Sequence, residues 1–126
     1  MKIIQPLLLL LIILMSSNAK ADGNQFLNDC QAVEKSLDNR GALTGSEFVD
    51  FGYCYGLIQG VRSSMQLLNI GLQPEYRTCW PTEEINNGQA VRIVLKYLRS
   101  NPEILNLDAT TLVFRTFSTS YPCTSK

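Results

Sequence analysis

The chain has 126 residues, with 11 Lys+Arg, 11 Asp+Glu and no histidine. Lacking histidine, it has no base for Ser-His-Asp or Cys-His catalysis and no ligand for the common zinc-hydrolase or haem-attachment patterns. Its carboxylates are scattered without a pair suited to acid–base work, and its balanced charge does not suggest nucleic acid or an anionic membrane surface as a partner.

The N-terminus begins with the basic "MK", continues through the apolar run "IIQPLLLLLIILM", and ends in "SSNAKA", with small residues at 19 and 21. That order is expected of a cleavable export signal, with cleavage after Ala21. The run is too short, and too interrupted by Gln5 and Pro6, to be expected to span a bilayer, which takes about 20 apolar residues. The expected organisation is therefore a signal peptide over 1–21 and a single domain over 22–126, with room for a modest core. Loss of Lys2 and Lys20 leaves nine basic residues against 11 acidic ones, a net charge of −2. The four cysteines, Cys30, Cys54, Cys79 and Cys123, are an even number in an exported chain and contain no C-x-x-C pair. They are expected to form disulfides rather than hold a metal, and no cofactor is expected.

Four helices follow from the 3.6-residue periodicity. In "NQFLNDCQAVEKSLDN", Phe26, Cys30, Val33 and Leu37 share a stripe, and Asn39 and Gly41 end the helix. The long second helix lies in "TGSEFVDFGYCYGLIQGVRSSMQLLN", with Ser46 as its expected N-cap. Phe51, Cys54, Leu57, Ile58, Val61, Met65 and Leu68 form its broad apolar face, while Gly52, Gly56 and Gly60 recur on the other side. Each glycine costs a helix interior about 1 kcal/mol relative to alanine. Their repetition is expected to admit a close neighbour, either another helix of the same chain or a second subunit.

A long loop, "NIGLQPEYRTCWPTEEI", comes next. It carries Gln73, Glu75, Tyr76, Arg77, Trp80, Glu83 and Glu84. Tyr, Arg and Trp are enriched at binding hot spots, although Trp80 is equally suited to plugging the end of the core. In the third helix, "NNGQAVRIVLKYLRSN", Asn86 and Gln89 form a capping pattern, and Arg92, Lys96 and Arg99 are expected to line a solvated face. Asn101-Pro102 stops it. The fourth helix, "LDATTLVFRTFSTSY", is expected to bury Leu112, Val113, Thr116 and Phe117, with Phe114 near the edge.

If consecutive helices are antiparallel, Cys30 and Cys54 lie equally far from the first turn. Cys79 precedes the third helix and Cys123 follows the fourth, at ends that meet. The expected pairing is Cys30–Cys54 and Cys79–Cys123, in an all-α bundle of four or five helices stapled by disulfides.

"FGYCYGLIQGV", then "CWP", then "NNGQAVRIVLKYLRSNPEIL" and a final "YPC" occur in that order. Together they resemble the Rap/Tai immunity proteins of bacterial type VI secretion. The resemblance runs from Cys30 to Cys123, and its most specific parts are Gly52-x-Cys54-x-Gly56, Gly88-Gln89, Asn101-Pro102-Glu103 and Pro122-Cys123. It implies a compact helical, disulfide-bonded periplasmic protein, commonly a homodimer. Such a protein blocks the cleft of an injected peptidoglycan amidase, a Cys-His enzyme of the NlpC/P60 type, with a protruding loop. The loop from Asn69 to Glu84 is the first candidate here and the segment 101–108 the second. A different class sharing size, helices and disulfides is the acid-stress chaperone of the HdeA type. It would need an acid switch made of carboxylates alone.

Overall fold

In the computed structural model, which describes residues 22–123, the chain enters its first helix through Asp22. The Asp22 side chain accepts hydrogen bonds from the amides of Asn24 and Gln25, both at 3.0 Å, and caps α1 (Gly23–Leu37). Asn39 and Gly41, with φ of 52° and 107°, turn the chain out of α1. The leader expected over 1–21 lies outside the described residues.

The second helix, α2 (Gly45–Leu68), is capped by Thr44 and not by Ser46. Glu47 stands three residues after Thr44, so the two form a capping box in which the Glu47 carboxylate accepts the Thr44 amide at 2.7 Å. Ser46 has Val49 in the corresponding place and sits inside the first turn. Asn86 caps α3 (Asn87–Ser100) by accepting the Gln89 amide at 2.8 Å. Asp108 caps α4 (Ala109–Ser120) by accepting the amide of Thr111 at 2.9 Å and its hydroxyl at 2.6 Å.

Each of the four helices packs against the other three. They enclose one core in which Phe26, Ile58, Val94, Leu98, Leu112 and Phe117 are fully buried. Burial of a side chain of this size contributes about 1.5–3 kcal/mol. The fully buried hydroxyl of Thr116 donates to the Leu112 carbonyl at 2.8 Å and so is satisfied within its own helix. Among the described residues there are no strands, only isolated bridges between Asp22 and Asp108 and between Thr78 and Pro122. The disulfides are Cys30–Cys54 and Cys79–Cys123, as the antiparallel arrangement requires. Each is expected to contribute about 2–4 kcal/mol.

The basic residues of α3 do more than face water. Arg99 pairs with Glu34 through both carboxylate oxygens, at 2.8 and 2.6 Å, and Arg92 pairs with Asp38 at 2.6 Å. Both tie α3 to α1 or to its C-cap. Lys35 reaches Glu47 at 2.8 Å and joins α1 to the start of α2. These carboxylates titrate below their ordinary values. Hydrogen bonding to Arg99 is the main cause for Glu34, and hydrogen bonding to Arg92 for Asp38. Glu47 is lowered to about 2, first by its bond from Lys35 and then by its bonds with Thr44.

The glycines of α2 depart from the expectation of a close neighbour within the chain. A Cβ placed on Gly52, Gly56 or Gly60 would meet nothing within 4 Å. Gly23 is the glycine under real constraint. A Cβ there would collide with the Leu112 side chain and come within 2.9 Å of the Leu105 carbonyl oxygen and 3.0 Å of its Cα. Gly23 is also where α1 bonds the segment before α4, its amide donating to the Leu107 carbonyl at 3.0 Å.

Two outcomes follow for stability. In urea titrations at low protein concentration, Gly23→Ala is expected to destabilise the fold by about 1–3 kcal/mol through overpacking. Gly56→Ala is expected to stabilise it by up to about 1 kcal/mol, because only helix propensity changes. The pH dependence has a defined sign. The folded-state pKa of Glu47, about 2, lies below the 4.5 of the unfolded chain. Its stabilisation is therefore fully present above pH 4.5 and is lost as the pH falls towards 2. Chemical denaturation across that window should show a flatter acid limb for Glu47→Gln than for the unsubstituted protein.

Candidate functional site

The connection between α2 and α3 divides into two parts with opposite orientations. The part nearest α2 closes on itself. The Asn69 side chain donates to the Thr78 carbonyl at 3.0 Å and accepts the Thr78 amide at 2.8 Å, gripping one residue through both backbone groups. Two short 3₁₀ turns, Asn69–Gly71 and Pro74–Tyr76, shape what lies between. Pro74 opens the second, where its fixed φ suits the turn. The Arg77 guanidinium braces the interior by donating to the carbonyls of Leu72 at 2.8 Å and Ile70 at 3.4 Å.

The second part faces inward. The Trp80 ring packs at a tilt with its centroid 5.4 Å from that of Phe117 and 5.7 Å from that of Tyr121, covering the end of the core. Ile85 is buried in the core. This part is fastened at its base by the Cys79–Cys123 bridge and by the Cys79 amide, which donates to the Tyr121 carbonyl at 2.9 Å. At its far end it is held by Arg62, only 5% exposed although charged. Arg62 donates to the Ile85 carbonyl at 2.6 Å and to Asn87 Oδ1 at 2.8 Å, and Asn87 in turn donates to the Tyr55 hydroxyl at 2.7 Å. Both terminal nitrogens of this buried cation thus find acceptors, while its Nε is buried without a partner among the described residues.

The seven residues singled out in this loop are thus not brought to one place. Gln73, Glu75, Tyr76 and Arg77 belong to the closed outer part and are exposed. Glu83 and Glu84 are exposed on the inner part, and Trp80 is half-buried against the core. Two residues not on that list share the outer part with Tyr76: Ile70, 86% exposed, and Leu72. Ile70 and Leu72 flank a glycine in "NIGLQP", where an apolar pair inside a turn sequence could have marked them. Asn69 carries no such mark, because its partner is nine residues away.

The outer loop borders an apolar groove of about 680 Å³. Gly56, Gly60 and Val61 of α2 form its floor, Leu72 and Tyr76 one wall, and Thr111 and Phe114 of α4 the other. The absent Cβ atoms of the two glycines give the groove its depth. The exposed apolar surface runs on along α2, from Val49 at 72% exposure to Leu67 at 79%. Exposed apolar surface of this extent marks an interaction surface. Among the described residues, no cluster of His, Cys, Asp and Glu is placed to hold a metal ion, and no helix is long and apolar enough to cross a membrane.

Comparison with known proteins agrees with a binding role. Neither the curated proteins nor the solved structures contain a match to this chain. The family described as Rap1a immunity proteins matches residues 22–123, the whole of the described domain. The chain belongs to the Rap1a immunity protein family.

Proposed function

We propose that this protein is a periplasmic immunity protein that binds and inhibits a type VI secretion peptidoglycan amidase of the NlpC/P60 type. In this reading residues 1–21 are removed on export, the domain 22–126 acts without chemistry or a cofactor of its own, and the loop 69–84 enters the amidase cleft. The observation that carries the reading, beside the family, is the self-closed loop that displays Ile70, Leu72 and Tyr76 to solvent. Apolar and aromatic side chains on a segment already ordered by hydrogen bonds bind with little further loss of conformational freedom. Gln73, Glu75 and Arg77 supply the polar rim, with Glu83 and Glu84 beside them.

The same reading includes a homodimer. The α2 face through Gly52, Gly56 and Gly60 is open within the chain, and a second copy brought against it would explain three helix-weakening residues in a row.

The oxidised domain should form a stoichiometric complex with a cognate NlpC/P60-type amidase effector, visible by calorimetry, and abolish cleavage of purified peptidoglycan. Full amidase activity in a molar excess of this protein would remove the inhibitor reading. Sedimentation velocity should give the mass of two chains for the unsubstituted domain and of one chain for Gly56→Phe. An unchanged mass in that variant would place the dimer seam elsewhere.

A further inference from the structure

We infer that Asn69 is a positioning residue for effector binding, and that the binding element is the outer loop 70–77 which it closes, rather than the whole connection between the helices. The inference rests on the inhibitor reading above. It starts from an asymmetry in how the connection is held. The inner part is fixed by a disulfide, by Trp80 on the core and by Arg62 at Ile85, so its large side chains are already engaged. The outer part has no covalent tie and no buried side chain between Ile70 and Arg77. Its shape is set by the Arg77 brace, the two turns, and the paired bonds between Asn69 and Thr78.

Those paired bonds do what a β-bridge would do, with a side-chain amide taking the place of a second backbone. A side-chain carboxamide offers a donor and an acceptor in the same plane. Asn69 directly follows the last residue of α2, and Thr78, buried, immediately precedes Cys79. The clamp therefore refers the loop to the helix on one side and to the disulfide on the other. Ile70 and Tyr76 stand beside its two ends. Opening it would return the intervening residues to an ensemble, and the ordering cost would then fall on complex formation. Since such costs appear mainly in the dissociation rate, Asn69 should control how long the complex lasts without touching the partner.

The test uses the oxidised domain and a cognate NlpC/P60-type amidase effector, with Asn69→Ala, Asn69→Asp and Tyr76→Ala. Dissociation rates are measured by surface plasmon resonance and amide exchange by mass spectrometry. Asn69→Ala should accelerate dissociation at least tenfold and raise exchange across 70–78 while leaving the four helices protected. Asn69→Asp keeps the acceptor for the Thr78 amide but sets a carboxylate oxygen against the Thr78 carbonyl, so it should accelerate dissociation at least as much. Tyr76→Ala should accelerate dissociation with exchange across the loop unchanged, as a contact residue would. Should Asn69→Ala fail to fold, Asn69→Asp carries the comparison. An unchanged dissociation rate in the folded Asn69 variants, with the unsubstituted protein binding, overturns this inference alone. Failure of the unsubstituted protein to bind overturns the inhibitor reading and the inference with it.

Discussion

The Cys30–Cys54 bridge is the constraint on which the rest of the structure depends. Both cysteines have no solvent exposure and sit among Phe26, Val33 and Ile58. The bridge is a packing element as well as a cross-link. It fixes the level at which α1 meets α2, and the Lys35–Glu47 pair and the Thr44 cap then follow at the turn between them. With α1 and α2 in register, α3 and α4 have one surface to close over. Arg92 and Arg99 bind α3 to Asp38 and Glu34 on the α1 side of that surface. Exposed pairs of this kind contribute little each. They act on a framework whose geometry the buried bridge has already set.

From that framework α2 carries three separate duties. Its inward face, Cys54, Ile58 and Met65, fills the core. Arg62, one turn beyond Ile58, crosses beneath the connection to α3 and holds it by its backbone. Its outer face, with the glycines and the apolar residues around them, is left open within the chain. This division accounts for a helix that is apolar almost all round yet covered on only one side within the chain.

Much of this was legible in the sequence because it depends on spacing. Helical periodicity located all four helices, and counting residues back from the turns paired the cysteines. The errors arose where a residue's role depends on what lies across from it. The glycine repeat told which side of α2 was thin but not what stood opposite, and within the chain nothing does. Arg62 carries no local mark of burial, since its acceptors lie 23 and 25 residues further along the chain. Arg92 and Arg99 lie on the outer stripe that periodicity expects, yet their partners are the C-cap of α1, Asp38, and Glu34 within it, more than fifty residues earlier. The Thr44 cap was within reach, since Thr44-x-x-Glu47 is a capping-box pattern, but the nearby Ser46 competed for the same role. The division of the loop into an outer and an inner part depends on the Asn69 clamp, which no local pattern announces.

The two sulfur bridges also impose an order of assembly. Cys30 and Cys54 are 24 residues apart, and both have emerged when α2 is only half made. Cys79 must wait for Cys123, 44 residues later and the last described position. A chain emerging from its N-terminus can therefore lock its first helix pair while the base of its outer loop stays unfastened until Cys123 has followed. A product ending short of Cys123 would keep a stapled helical hairpin and lack the bridge that anchors the loop.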